Sequence, residues 1–280
     1  MRLLLTTAFL FILQMVCGQQ VNLMVTDVRE QRALDQDNST VELTLKVNGI
    51  KVDENRMVKF GRITKATDNL GNALEEKESS FGYDYKDRNE VSFKVSAPPR
   101  KATALSTVEG TIKYFSPTLE NKGKVEINKP LDKYNTNFLK GVVSDVKLIL
   151  IDEEGLKKKK AENDAAFDKE LEKFRKENAI NEKVGGFMTG LKDFFESMFS
   201  FGSSGPSMGF YLDDPKKKIV SISVYDEKNE KVNNGYFSSG TQMTVNLNTA
   251  PKNTWKVVVM LENEKSMKEI NFSLNNVFLP

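Results

Sequence analysis

Val41-Glu42-Leu43-Thr44-Leu45-Lys46-Val47-Asn48-Gly49 alternates apolar and polar residues and then stops at an Asn-Gly pair. In an extended chain successive side chains point to opposite faces, so this stretch has one apolar face and one wet face. That is the pattern of a strand in an antiparallel sheet with a core on one side. Asn-Gly tolerates positive φ and is read as the turn that follows. On the N-terminal side, Val21, Leu23 and Val25 alternate with Asn22 and Met24 in the same way. On the C-terminal side, residues 57–67, 91–96 and 104–115 continue the series, separated by the turn-forming 68–72 and by Ala97-Pro98-Pro99. Several short strands with regular punctuation and no helical period predict an Ig-like antiparallel β-sandwich over residues 19–135. Lys129-Pro130 and the polar run 132–137 are its expected boundary.

Residues 136–280 predict a second, tandem Ig-like sandwich, so the fold class is mostly β. Its first strand falls in 142–151, where the near-continuous Leu148, Ile149, Leu150 and Ile151 suggest a central strand covered on both faces. Strand character returns at 208–212, 219–225, 242–247, 255–261 and 270–278, with Asn233-Asn234-Gly235 as a hairpin turn. Trp255 opens one of these strands and is expected in the core.

Between the first and second of these strands lies an insertion, residues 156–207, that reads as an α-helical hairpin. Its charged first part, 156–178, carries Phe167, Leu171 and Phe174 at i, i+4 and i+7, a narrow stripe suited to one partner helix. Gly185-Gly186 would end that helix. The second part holds Phe187, Met188, Leu191, Phe194, Phe195, Met198, Phe199 and Phe201, which at about 100° per residue fall in an arc of roughly 160°. Leaving eight such side chains in water would cost on the order of 10 kcal/mol, so this face is expected to be covered. Its own domain, a partner or a lipid surface could cover it. These eight are the candidate partner- or lipid-binding residues.

Residues 1–18 read as a secretory signal peptide, with Arg2 ahead of an apolar run and Val16-Cys17-Gly18 before the cleavage point. The run is too short to span a bilayer of about 30 Å. Lipidation at Cys17 is the alternative, but Gln14 and Val16 depart from the residues a lipoprotein signal favours. The expected location is therefore secreted or periplasmic. Cleavage removes the chain's one cysteine and one of its 41 basic residues, against 39 acidic ones. The near-neutral balance gives no electrostatic footprint for nucleic acid, and an exported chain without cysteines relies on packed cores rather than disulfides.

The chain has no histidine. Ser-His-Asp and Cys-His catalysis and zinc sites of Cys and His therefore need residues it lacks. Gly202-Ser203-Ser204-Gly205 lacks the lysine of a phosphate loop, and neither a cofactor nor a metal is expected. Asp84, Asp87 and Glu90 are the carboxylates weighed for glycoside hydrolysis. Asp213-Asp214 and Asp226-Glu227 are those weighed for calcium, without the spacing of a calcium loop. Phe81, Tyr83 and Tyr85 beside Arg88 form a possible ligand-facing aromatic patch. Asn38-Ser39-Thr40 and Asn271-Phe272-Ser273 match the N-glycosylation pattern, the second in a predicted strand where the match reads as coincidence. These features describe an exported, non-catalytic cell-envelope or extracellular protein that binds a protein or glycan. The alternative is a membrane-active protein using 187–201 for peripheral contact.

Overall fold

The computed structural model describes residues 21–34, 38–77, 84–180 and 205–280. The signal-peptide segment 1–18 and the Phe-rich segment 187–201 lie outside the described residues. Strand makes up 49% and helix 13%, so the mostly-β expectation holds. The chain divides into two compact units: one runs up to Tyr114 and regains Glu269–Pro280, and the other is Phe115–Lys268. These units divide the chain at other positions than the expected domains 19–135 and 136–280. β7 (Lys124–Asn128) pairs with β13 (Lys256–Leu261), Ile127 opposite Val257, and that ladder outweighs the polar break at 132–137.

The first unit has β1 (Asn22–Gln31), β2 (Thr40–Asn48), β3 (Met57–Asp68), β4 (Glu76–Lys77), β5 (Glu90–Ser96) and most of β6 (Ala104–Phe115) and β14 (Met267–Phe278); Phe115, Met267 and Lys268 fall in the other unit. They form two sheets, in the orders β1-β2-β5-β4 and β14-β6-β3. Both sheets contribute to one core, an arrangement consistent with a β-sandwich. Val41, Leu43, Leu45 and Val47 are each 0% exposed, which is the alternation of β2 turned into burial. In β1 a bulge between Val25 and Asp27 shifts the register, so Val25 and Val28 both reach this core. Phe60 stacks on Phe93 at 4.8 Å, and Phe272 of β14 lies 5.8 Å from Phe93. A Cβ at Gly110 would come within 2.8 Å of the Phe272 ring, so β6 needs a glycine where that ring crosses it.

Asn48-Gly49 does not close a hairpin. Gly49 has φ 83, but β3 belongs to the other sheet, so the chain here crosses from one sheet to the next. The tight turn comes later, where Asp53 accepts hydrogen bonds from the Asn55 backbone at 3.0 Å and from the Arg56 guanidinium at 2.7 Å.

The second unit has β7, β8 (Lys147–Leu150), β9 (Ser207–Asp213), β10 (Ile219–Tyr225), β11 (Asn233–Ser239), β12 (Gln242–Leu247) and β13. The sheets are β11-β12-β9-β8 and β10-β13-β7, again enclosing one core. Trp255, at 3% exposed, sits in that core as expected. Asn233-Asn234-Gly235 is a bulge inside β11 rather than a turn, with Gly235 at φ 139 and a register shift between Asn233 and Gly235. The turn before β11 is built by Asp226, whose carboxylate accepts from the backbone N–H of Lys228 at 2.9 Å and Glu230 at 2.8 Å.

β8 is covered on both faces but, among the described residues, is an edge strand rather than a central one. Leu148 and Leu150 enter the core between the sheets, while Ile149 and Ile151 face a second cluster on the outer side. The edge of β8 is met by a loop: the backbone N–H of Asn135 and of Phe138 donate to Leu150 and Leu148 carbonyls, both at 2.8 Å. The apolar run read as a central strand thus has a different cause, helices on the outer face.

Those helices are α1 (Glu153–Glu162) and α2 (Asp164–Glu177). The single helix expected over 156–178 is broken at Asn163, which has φ −177 and ψ 161 and accepts a hydrogen bond from Ala166 N–H at 2.8 Å. An extended residue with a short acceptor side chain is an N-cap, so it stops one helix and starts the next. The stripe Phe167, Leu171 and Phe174 is 0%, 0% and 3% exposed. It packs with Ile149 of β8, Tyr211 of β9, Ile151, Ile180 and Leu156 of α1, so among the described residues it meets both the outer face of a sheet and the neighbouring helix. Past the end of α2, Lys147 Nζ donates to Ala179 O at 2.7 Å, and Asn178 Nδ2 adds a second donor to Phe174 O at 3.0 Å beside the Asn178 backbone N–H.

Candidate functional site

The described part of the second unit carries an open cleft of about 610 Å³. It lies where the loop before β7, the loop after β13 and the turn before β10 converge. Its floor is apolar, from Val142, Val143, Leu261 and Met267. Its rim carries charge of both signs: Glu120, Lys122, Lys216, Lys218, Glu262, Glu264 and Lys265.

Short polar side chains fix the loops that present this rim. Asn121 Oδ1 accepts from the N–H of Thr118 at 2.8 Å and of Gly123 at 2.9 Å. Thr118 Oγ1 in turn accepts from Asn121 N–H at 3.1 Å. Such side chain–backbone bonds lock a turn locally, and Lys122 is held at φ 55 between them. Across the cleft Asn263 Oδ1 accepts from the N–H of Lys265 and Ser266, at 2.8 and 3.0 Å. Ser266 Oγ accepts from Asn263 N–H and donates to Leu261 O, both at 2.9 Å. The two loops are joined by Asn263 Nδ2, which donates to Asn121 O at 3.2 Å. A Cβ at Gly123 would stand 2.4 Å from Ser266, so that close approach requires glycine.

On the remaining wall Asp145 accepts from Lys218 Nζ at 2.8 Å and lies 3.2 Å from Lys216 Nζ. The hydrogen bond from Lys218 holds the Asp145 carboxyl below its usual range. The backbone turn beneath these lysines is made by Asp214, which accepts from Lys218 and Ile219 N–H at 2.9 and 2.8 Å. The cleft is thus braced, with an apolar base and fixed charges on its rim.

Of the carboxylates weighed for calcium, Asp214 and Asp226 each accept hydrogen bonds from backbone N–H groups in turns. Among the described residues no three His, Cys, Asp or Glu side chains stand together as a metal site. Asp84, Asp87 and Glu90 are exposed. Of the aromatic patch, Tyr85 holds Lys59 Nζ at 4.2 Å over its ring; Phe81 and Tyr83 lie outside the described residues. So do all eight candidate residues Phe187, Met188, Leu191, Phe194, Phe195, Met198, Phe199 and Phe201. No described helix is long and apolar enough to cross a membrane.

None of the cleft residues stood out in the sequence. Thr118, Asn121, Asn263 and Ser266 signal turns, but turn signals do not say which turns meet. Compared with known protein families, with curated proteins and with solved structures, the chain matches none.

Proposed function

We propose that this chain is an exported, non-catalytic protein of the cell envelope or extracellular space, built from two tandem Ig-like domains. It works by binding another polypeptide in the cleft of the second unit. The observation that carries this reading is the braced rim of lysines and glutamates over an apolar floor. Contact surfaces combine an apolar centre with a polar, charged margin in this way, and charges of both signs select a partner by complementarity and orient its approach. A polypeptide is favoured over a glycan because sugar recognition leans on aromatic platforms, and the lining of the cleft has none. The fixed loops add to this, since a preorganised surface loses little entropy on binding.

The test is a charge reversal, Lys122→Glu with Lys265→Glu, in the mature protein. Both side chains lie on loops whose backbone bonds do not use them, so folding should survive. Proteins captured from the native source by the wild type are identified, and their affinity for wild type and variant is measured. A loss on the order of tenfold, with weaker binding at high salt, is expected. Equal affinity for both forms refutes the cleft. Flotation of the wild type with liposomes, abolished by deleting 187–201, would favour the membrane-active alternative instead.

A further inference from the structure

We propose that Asn271 carries an N-linked oligosaccharide that lies over the outer face of the β14-β6-β3 sheet and shields the edge of β14; this rests on the reading of the chain as exported. The Asn271-Phe272-Ser273 sequence is an acceptor pattern, and its strand setting looked like coincidence until the sheet order was known. Among the described residues β14 is an edge strand. In a strand alternate residues share a face, so Asn271 and Ser273 point together while Phe272 points the other way. The burial follows: Asn271 and Ser273 are exposed, and Phe272 is 8% exposed with its ring in the core beside Phe93. The Asn271 side chain makes no hydrogen bond among the described residues. Next to it lies an open hollow of about 370 Å³, bordered by Thr64, Glu109, Gly110 and Ser273, with room for the first sugars.

The strand has a reason to be covered. Edge strands are usually protected by charge, by proline or by a bulge. β14 carries charge only near its start, at Lys268 and Glu269; from Ile270 to Phe278 it has no charged residue and no proline, and Phe278 is 77% exposed, with Asn276 at φ 53. A bulky, solvated group fixed midway along such an edge blocks pairing with a second sheet.

The chemistry is a glycosyl transfer from a lipid-diphosphate-linked oligosaccharide, catalysed by a transferase of the export route. The bond between Asn271 Nδ2 and the anomeric carbon forms as the bond from that carbon to the diphosphate oxygen breaks. The lipid diphosphate leaves with the electron pair, and the amide proton passes to a base of the transferase.

The experiment is mass spectrometry of the protein from its native source, reading its N-terminus and the peptide that contains Asn271. The expected result is a chain beginning at Gln19 with a hexose-containing mass on Asn271, lost in Asn271→Gln and in Ser273→Ala. After enzymatic removal of the sugar, sedimentation should show increased self-association. A chain beginning at Gln19 with Asn271 unmodified overturns this proposal alone. A chain still beginning at Met1 with Asn271 unmodified overturns export and the proposal together. Sugar that persists on Asn271 in Ser273→Ala overturns the assigned acceptor pattern, and unchanged sedimentation after its removal overturns the shielding role.

Discussion

Phe167→Ala tests whether the inserted helices are part of the second unit or an ornament on it. Phe167 is 0% exposed and shares its cluster with Ile149, Ile151, Leu171, Phe174 and Tyr211. Ile149 belongs to β8, whose neighbours Leu148 and Leu150 line the main core from the other face. Truncating a fully buried phenylalanine costs about 3–5 kcal/mol, as lost transfer energy plus the cavity left behind. With a urea dependence of about 2 kcal/mol per molar, the unfolding midpoint should fall by roughly 1.5–2.5 M. The assay is intrinsic fluorescence, because the chain's one tryptophan, Trp255, is 3% exposed in the core of this unit. A change made under the helices would then be read on the opposite side of the sheet. The control is Phe237→Ala in the same unit: Phe237 is 63% exposed, and its loss should cost within about 0.5 kcal/mol. If Phe167→Ala moves the Trp255 transition no further than Phe237→Ala does, α2 is not integral to the unit and the two-faced account of β8 is wrong.

Asn163→Ala removes the side chain that caps α2, and should cost about 1 kcal/mol in the same urea assay; Asn163→Asp, which keeps an acceptor, should restore most of it. Burial first, then the charge of Asp213, push the Tyr211 hydroxyl up from 10.0 to about 12. A raised folded-state pKa contributes stability that is complete below pH 10 and lost as pH rises through about 12. Unfolding followed at Trp255 should therefore steepen across that window, and Tyr211→Phe should flatten it; an unchanged pH dependence would contradict the buried position of the ring.

Alternation was legible without the structure because it is local. Val41 to Val47 declare a one-sided strand whatever surrounds them, and the Phe167, Leu171 and Phe174 spacing declares a helix with one apolar face. The absence of histidine likewise restricts chemistry by composition alone. Asn163 was legible in principle, as a capping residue inside a charged helix, but a cap and an exposed helical asparagine look alike in sequence.

Pairing was not legible, since hydrogen bonds between strands join residues far apart in the chain through backbone groups common to every residue. Thus β7 looked like the end of the first unit and is tied to β13, and β14 closes a sheet that begins with β3 and β6. The same limit explains β8: an unbroken apolar run states that both faces are buried, not whether strands or helices bury them. It also explains the cleft. The turns at Asn121 and Asn263 are set by their own side chains, as the sequence indicates, but their meeting over Val142 and Leu261 follows from which strands pair beneath them. Sequence determined the faces of the elements because side-chain direction follows local backbone geometry. Tertiary structure decided their partners because the energy of a contact depends on what is brought to it.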